Sequence, residues 1–267
     1  MRLHFIKISA TGNDFILIDN RAGRWAADRD ALFFSRICRH HLSIGADGVI
    51  LLEPSERADF RYVHINADGG IAGMCGNGSR AIAWFARHLG IGGAELSMEI
   101  NGRLYYAKPE GLEVTTRMVP PSGIDLELDA ATGEGFVSGG FIDTGVPHYV
   151  LFVPEAAAVD MARYGPLFRH HPLFPEGTNV DFVECVDPHH LRARTWERGV
   201  EGETLACGTG AMAAAIIARL RDRVAAPVSL DFPGGRLTVD FSQDFSRVTL
   251  AGRVDPVYEG DLFPEHG

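Results

Sequence analysis

Two cysteines of this sequence stand at the start of the same four-residue pattern, Cys-Gly-x-Gly. The two copies are Cys75-Gly76-Asn77-Gly78 and Cys207-Gly208-Thr209-Gly210, and each precedes a segment with the apolar spacing of a helix. The first turn of a helix has free N–H groups and the positive end of the helix dipole, which lower the pKa of a thiol beside it. The same N–H groups can hold a carboxylate, and the glycines let a ligand approach the backbone. Each pattern therefore predicts a proton-transfer thiol beside a carboxylate site.

A pair of such thiols predicts the inversion of a carbon centre next to the carboxylate. If the two patterns face each other, one thiolate removes a proton and the other thiol delivers one to the opposite face. Three other interpretations stay open, namely small buried cysteines, a redox disulfide and half of a zinc site. Zinc is disfavoured because neither pattern has the second close ligand of a Cys-x-x-Cys spacing. The remaining cysteines, Cys38 and Cys185, have no glycine context and are interpreted as structural.

The composition excludes several classes of protein. The chain has 267 residues, of which 46% are hydrophobic and 22% charged, values typical of a globular protein with a real core. The formal net charge of -10 argues against a nucleic-acid or membrane partner, because both need clustered Lys and Arg. Lys7 and Lys108 are the only lysines, and neither has the setting of a Schiff-base lysine for pyridoxal phosphate. No signal peptide and no segment long enough to span a bilayer are found, so we expect a cytoplasmic protein.

The elements that must position the two cysteines follow the same order in each half of the chain. Strands lead to a polar strand end, Asn66-Ala67-Asp68 or Glu197-Arg198-Gly199, and then come the cysteine pattern and a helix. The segment Ala211–Ala218 is apolar on every face, which predicts a buried helix. The repeated order predicts duplicated domains, each a set of strands around a central helix. We expect an N-terminal domain at 1–121, to which 254–267 returns, and a C-terminal domain at 122–253.

Apolar runs, alternation and turn residues predict the individual elements. The predicted strands are Leu3–Ile8, Phe15–Asp19, Val49–Glu53, Phe60–Asn66, Leu96–Ile100, Leu104–Lys108, Leu112–Val119, Phe141–Asp143, Tyr149–Val153, Val180–Val186, Leu191–Trp196, Val228–Phe232, Leu237–Phe241 and Val248–Val254. The predicted helices are Asp28–Arg39, one after Asn77 that stops at Gly90, Asp160–Leu167, and one from Thr209. Pro120-Pro121-Ser122-Gly123 is the predicted domain boundary.

Over its whole length the sequence resembles the diaminopimelate epimerase family. The resemblance is carried, in order, by Thr11-Gly12-Asn13-Asp14-Phe15, Gly45-Ala46-Asp47-Gly48, Asn66-Ala67-Asp68-Gly69, Met74-Cys75-Gly76-Asn77-Gly78-Ser79-Arg80, Pro147-His148, Thr178-Asn179, Glu197-Arg198-Gly199 and Ala206-Cys207-Gly208-Thr209-Gly210. The family fold is mixed α/β (α+β), with two pseudo-symmetric domains, each a β-barrel-like sheet around a central helix, and the active site in the cleft between them. The resemblance implies this fold. It also implies interconversion of LL- and meso-diaminopimelate, a step toward lysine and peptidoglycan, with no cofactor, no metal and a homodimeric enzyme.

The resemblance also implies a role for individual residues. Cys75 and Cys207 correspond to the two acid–base thiols, and His148 and Glu197 to the groups that tune their ionisation. The residues implied to bind substrate are Asn13, Asn66, Gly76, Asn77, Asn179, Glu197, Arg198, Gly208 and Thr209. Of these, the two Gly-x pairs after the cysteines would offer backbone N–H groups to the reacting carboxylate. Arg198 would pair with the distal carboxylate of the substrate, because its guanidinium donates two parallel hydrogen bonds.

Two positions depart from the commonest pattern of the family. Many members have Asn where this chain has Val146, and many have Gln where it has Gly48; both residues normally help to hold substrate. The sequence therefore leaves open a different two-cysteine racemase of the same fold, such as a proline racemase. An interpretation from another class is a non-catalytic binding protein or a thiol redox protein. The cluster of Asn66, Asn179 and Arg198 favours a substrate with a second amino-acid end, which proline lacks.

Overall fold

The structure is a computed structural model that describes residues 2–130 and 135–263. Its described residues divide into two compact units, one made of those up to Thr116 together with those from Gly252 to Phe263, the other of those between Arg117 and Ala251. Residues 264–267, which belong to the segment predicted to return to the first domain, lie outside the described residues.

The first unit is a closed barrel around one helix. Its strands are β1 (Leu3–Ala10), β2 (Asn13–Asp19), β3 (Gly48–Glu53), β4 (Phe60–Asn66), β5 (Leu96–Ile100), β6 (Arg103–Glu110), β7 (Glu113–Met118) and the C-terminal part of β16 (Val248–Leu262), and its helices are α1 (Ala31–Ile37) and α2 (Gly76–His88). The strands follow each other in the order β1 to β7, then β16. The barrel closes because β1 also pairs with β16, with Leu3 opposite Leu262 and Ala10 opposite Val254.

Helix α2 lies in the interior of this barrel. Its residues Ile82 and Phe85 belong to one apolar cluster with the strand residues Ile50, Tyr62 and Met98. Helix α1 packs on the other face of the sheet, in a separate cluster. Along strand β5, buried residues alternate with partly buried ones. One face of the strand therefore points into the barrel, where its side chains pack with those of α2.

The second unit repeats the plan with a different set of strands. Its elements are β8 (Ser122–Asp125), β9 (Val137–Asp143), β10 (Pro147–Phe152), a 3-10 turn (Ala156–Ala158), α3 (Met161–Arg169), β11 (Asn179–Asp187), β12 (His190–Glu197), β13 (Gly202–Thr204), α4 (Gly208–Leu220), β14 (Val228–Phe232), β15 (Gly235–Phe241) and the start of β16. The strand order is β16-β15-β14-β12-β11-β10-β9-β8, and β13 pairs with β12. Parallel pairing of β10 with β11 places His148 beside Asn179.

Helix α4 is the buried helix of the second unit. Every residue from Gly210 to Ala218 is buried, and the helix packs against β9, β10, β11, β12, β14 and β15. Helix α3 packs on the opposite face, where Phe168 contacts the rings of Tyr149 and Phe182. A helix without a polar face is stable in water only when strands cover it on all sides, as the sequence of α4 predicted.

The predicted mixed α/β fold, with one central helix in each strand set, is confirmed. Two strands were missed: β8 begins inside the predicted boundary at Ser122, and β13 has three residues. Strand β16 continues to Leu262, beyond its predicted end at Val254, because its second half pairs with β1. Within the described ranges, no helix is long and apolar enough to cross a membrane.

Candidate active site

Cys75 is the N-cap residue of α2 in the first unit. Its backbone is extended, and its sulfur accepts a hydrogen bond from the N–H of Gly78 at 3.5 Å. A Cβ atom on Gly78 would lie 2.6 Å from the hydroxyl oxygen of Tyr62, so only glycine fits between the thiol turn and this ring. The side chain is half-buried. The thiol therefore lies at the positive end of a buried helix, as its pattern predicted.

Amide side chains and a buried arginine surround this helix start. Asn77 donates from Nδ2 to Oδ1 of Asn13 at 2.6 Å, and Asn13 in turn donates to Asp47 at 2.9 Å. Arg80 is fully buried and donates to Oδ1 of Asn77 at 2.6 Å and to Oγ1 of Thr11 at 2.9 Å. The predicted site residues Asn13 and Asn77 thus form one network, which Arg80 supports from inside the barrel.

Arg80 brings a positive charge into the barrel beneath Cys75. Burial lowers the pKa of Arg80 to about 10, while the proximity of Cys75 acts in the opposite direction. No ion pair joins Arg80 to a carboxylate in the part of the chain that the structure describes. The buried guanidinium therefore lies close enough to Cys75 for the two groups to interact electrostatically.

Asn66 ends strand β4 at the predicted strand end, and its side chain is exposed. Its backbone pairs with Gly69 and Gly70 in a turn. Opposite Asn66 in the ladder stands Gly48, where a Cβ atom would lie 2.7 Å from Nε2 of His64. The space that a side chain at position 48 would need is therefore taken by the imidazole of His64.

Cys207 is the N-cap residue of α4 in the second unit. Its sulfur accepts a hydrogen bond from the N–H of Gly210 at 3.4 Å and lies 3.3 Å from Oγ1 of Thr209. The residue is buried, and its backbone is extended like that of Cys75. The local geometry of the two cysteine patterns is thus the same in both units.

The ionisation of Cys207 differs from the sequence prediction. The helix start predicted a lowered thiol pKa, yet burial raises the pKa of Cys207, and the charges of Glu197 and Asp181 raise it further. The hydrogen bonds from Thr209 and from the Gly210 N–H act in the opposite direction but are outweighed. In the second unit, desolvation and two carboxylates therefore favour the neutral thiol over the thiolate.

His148 lies between a carboxylate and the cysteine turn. Its Nδ1 is 2.7 Å from Oδ2 of Asp181, and both side chains are fully buried. Its Nε2 is 3.0 Å from Oγ1 of Thr209, the hydroxyl that also contacts Cys207. Asp181 accepts a second hydrogen bond from Oγ1 of Thr195 at 2.6 Å. The predicted tuning residue is thus connected to Cys207 through a threonine.

Asn179 lies near the same nitrogen of His148 as Thr209 does, and it connects this imidazole to Arg198. Asn179 donates to the carbonyl of Pro147 at 2.9 Å and lies 3.4 Å from Nε2 of His148. Its Oδ1 accepts from the backbone N–H of Arg198 at 2.8 Å, which fixes the start of the Arg198 side chain. The Arg198 side chain is among those that line a cavity of about 460 Å³, together with Pro147 and Glu176. Burial raises the pKa of the neighbouring Glu197.

Sequence reasoning missed Asp181, Thr195 and Arg80. Asp181 is separated by one residue from Asn179, so the two side chains point to the same face of β11, and Thr195 is its direct partner in β12. An aspartate within the apolar run from Val180 to Val183 was the available signal, because a buried carboxylate needs partners. Arg80 belongs to the quoted cysteine motif, but its burial depends on the barrel around α2.

The remaining cysteines and lysines have other surroundings and partners. Cys38 is packed in the apolar cluster beneath α1, where burial raises its pKa to about 12, and Cys185 is half-buried on β11. Lys7 forms an ion pair of 2.6 Å with Asp14, and Lys108 an exposed pair of 2.7 Å with Glu110. In the described parts of the chain, no group of three or more His, Cys, Asp or Glu is placed to hold a metal ion.

The sequence matches one family of known proteins over most of its length. A family profile described as diaminopimelate epimerase matches residues 5–115 and 140–255. A diaminopimelate epimerase of Aquifex aeolicus is 40% identical, and the alignment covers 98% of this chain and 99% of the relative. One of Chlorobaculum tepidum is 41% identical, with 96% and 99% covered.

Solved structures resemble the fold at much lower sequence identity. A Bacillus anthracis phenazine biosynthesis protein matches with a TM-score of 0.75 and 14% identity, covering 98% of this chain and 99% of the other. A hydroxyproline epimerase of Agrobacterium vitis matches with a TM-score of 0.68 and 18% identity, covering 100% and 94%. These two likenesses concern the fold alone.

Proposed function

Because the chain belongs to the diaminopimelate epimerase family, we propose that it interconverts LL-diaminopimelate and meso-diaminopimelate without a cofactor, on the route to lysine and peptidoglycan. The observation that carries the proposal is the pair of thiol N-caps. Cys75 and Cys207 each stand at the first turn of a buried helix and each accept an N–H from the glycine three residues on. This is the residue type and the setting that proton transfer next to a carboxylate requires.

The reaction proceeds through two proton transfers at one α-carbon. The free N–H groups of Gly76-Asn77 and Gly208-Thr209 bind the carboxylate and stabilise the charge that develops on it. One thiolate removes the α-proton, and the other thiol adds a proton to the opposite face, so the two sulfurs exchange their protonation states. Burial and the carboxylates of Glu197 and Asp181 favour the neutral thiol of Cys207, so in this proposal Cys207 is the acid of the resting enzyme and Cys75 is the base.

The position of Arg198 favours diaminopimelate as the substrate over an amino acid that has no second amino-acid end. Its backbone is fixed by Asn179, and its side chain lines the cavity beside Pro147 and Glu176. A guanidinium at the wall of a cavity suits a carboxylate, which it can hold with two parallel hydrogen bonds. In this proposal Arg198, Asn179, Asn13 and Asn66 recognise the substrate, and His148 and Glu197 tune the thiols.

The test is a substrate panel with variants of the cysteines. Purified protein is incubated in EDTA with LL-diaminopimelate, meso-diaminopimelate, proline or 4-hydroxyproline, and the stereoisomers are separated by chiral chromatography. We expect epimerisation of diaminopimelate alone and its loss in Cys75→Ala and Cys207→Ala, while Cys185→Ala, a half-buried cysteine on β11, stays active. Turnover of proline without turnover of diaminopimelate would contradict the proposal.

We further propose that the enzyme works as a homodimer in the cytoplasm. The resemblance to a family whose members often dimerise supports the first point, and the four free thiols, two of them needed in reduced form, are consistent with the second. Light scattering during gel filtration measures the mass against 29.0 kDa for one chain. Cell fractionation tests the location.

A further inference from the structure

We propose that Asp181 is a positioning residue that fixes the tautomer of His148 and, through the hydroxyl of Thr209, controls the proton on Cys207. The proposal rests on the proposed function, in which Cys207 is one of the two acid–base groups. It assigns a task to a carboxylate that belongs to none of the motifs of the sequence.

The carboxylate of Asp181 determines which nitrogen of His148 carries the proton. One oxygen, Oδ1, accepts from the hydroxyl of Thr195 at 2.6 Å, and the other, Oδ2, faces Nδ1 of His148 at 2.7 Å. An ionised carboxylate can only accept hydrogen bonds, so Nδ1 must be the donor. Because Asp181, Thr195 and His148 are all fully buried, water does not compete for these contacts. A neutral His148 therefore has its lone pair on Nε2.

That lone pair is directed at the cysteine turn. Nε2 lies 3.0 Å from Oγ1 of Thr209, and the same oxygen lies 3.3 Å from the sulfur of Cys207. The amide of Asn179, at 3.4 Å, is the other donor near Nε2. With Nε2 as the acceptor, the Thr209 hydroxyl donates to it and is free to accept the S–H of Cys207. The direction of both hydrogen bonds thus follows from the carboxylate on the far side of the ring.

The arrangement allows a balanced proton shift. The S–H bond of Cys207 breaks while its proton joins Oγ1 of Thr209, and the original Thr209 proton moves to Nε2 of His148. The products are a Cys207 thiolate and an imidazolium whose Nδ1–H still donates to Asp181, so no proton leaves the chain of groups. Glu197 is the other charged group near this chain, and its carboxylate acts on both Cys207 and His148. The shift supplies a base from a buried thiol that would otherwise stay protonated.

The glycine at position 210 is explained by the same carboxylate. A Cβ atom there would lie 2.5 Å from Oδ1 of Asp181 and 3.0 Å from Oγ1 of Thr195. The equivalent glycine of the first unit, Gly78, meets the phenol of Tyr62 instead. The space under the first turn of each helix thus holds a different group, and the carboxylate–imidazole pair is found under Cys207 rather than Cys75.

The direct test is nitrogen-15 NMR of the full chain labelled at histidine, with the His148 signals assigned by their loss in His148→Gln. We expect the neutral ring of His148 to carry its proton on Nδ1, with a bare Nε2. In Asp181→Asn the amide can donate to Nδ1, so the neutral ring should change to the Nε2–H tautomer. A wild-type ring with its proton on Nε2 and a bare Nδ1 would overturn the proposal.

Kinetics supply the second measurement. Asp181→Asn should lower kcat for diaminopimelate by about 100-fold or more, the usual contribution of a positioned acid or base, with little change in KM. The matched control is Asp231→Asn, which removes a carboxylate at the same 2.7 Å distance from another histidine, His190, on the strands β12 and β14. It should keep full activity. Wild-type kcat in Asp181→Asn would refute the proposal.

A second variant tests the same proposal with the carboxylate of Asp181 in place, in case Asp181→Asn does not fold. Thr209→Val keeps the backbone N–H and the shape of the side chain but removes the hydroxyl between Cys207 and His148. We expect a similar loss of kcat with an unchanged His148 tautomer, and full activity would refute the relay even if Asp181→Asn does not fold. If the wild type has no activity on diaminopimelate, the proposed function fails, while the NMR measurement of the His148 tautomer still decides the role of Asp181.

Discussion

His64 should make the folded protein sensitive to acid. It lies on β4 with 6% of its surface exposed, packed edge-on against Phe15 and Tyr62, and neither ring nitrogen has a hydrogen-bond partner in the described chain. Burial lowers its pKa from 6.5 to about 4, and the charge of Asp47 only partly opposes this. The folded state therefore holds His64 neutral at a pH where the unfolded chain already binds a proton.

The size of the effect follows from these two pKa values. As the pH falls below 6.5 the unfolded chain takes up a proton that the folded chain refuses, so stability decreases, and the decrease levels off below about 4. The full cost is about 3 kcal/mol, of which about 2–3 kcal/mol is reached at pH 4.5. Above pH 6.5 both states are neutral at this residue, and it contributes no pH dependence.

The assay is urea unfolding at pH 7 and pH 4.5, followed by fluorescence and circular dichroism. His64→Leu cannot be protonated, so the free energy of unfolding should fall between the two pH values by about 2–3 kcal/mol less than in the wild type. The control His41→Asn changes an exposed histidine in a left-handed conformation that Asn tolerates, and it should lose as much as the wild type. An equal loss in wild type and His64→Leu would refute the reasoning.

Three further predictions concern the candidate site. Arg198→Lys should lower kcat/KM for diaminopimelate more than for lysine, which lacks the distal carboxylate. An unpaired buried carboxylate carries a penalty of roughly 2–5 kcal/mol. Equal losses on both substrates, measured by steady-state kinetics, would place Arg198 outside the distal pocket. Arg80→Met should slow the alkylation of Cys75 by iodoacetamide, followed by mass spectrometry, since the cation beneath the thiol is removed; an unchanged rate would exclude this electrostatic role. Prolonged dialysis against EDTA should leave kcat unchanged, and restoration of lost activity by an added metal would contradict the cofactor-free mechanism.

Local sequence patterns were sufficient to predict helices and strands whose positions depend on residues that are neighbours in the chain. Helices α2 and α4 begin at the glycine after each cysteine, within two residues of their predicted starts after Asn77 and at Thr209. Strands β5 and β14 have their predicted limits, since both alternate between buried and partly buried residues.

Features that depend on distant segments were not predictable in the same way. The pairing of β1 with β16 joins Leu3 to Leu262, and no local pattern contains that register. The pKa of Cys207 is raised because burial and the carboxylates of Glu197 and Asp181 outweigh the helix start. Those groups come from other strands, so the motif alone predicted the opposite direction. The occupation by His64 of the space beside Gly48 is a third case, because it depends on the pairing of β3 with β4.

The central claim is that two different thiols act on one α-carbon, and the isotopic course of the reaction in D2O tests it most directly. LL-diaminopimelate with protium at both α-carbons is incubated with the enzyme in D2O, and both isomers are analysed by mass spectrometry early in the reaction. The account predicts that the meso product carries one solvent deuterium, while the remaining LL-isomer keeps its protium, because one sulfur removes the proton and the other delivers the deuteron. Meso product that retains the original protium, or early deuterium in the recovered LL-isomer at the same level as in the product, would contradict it.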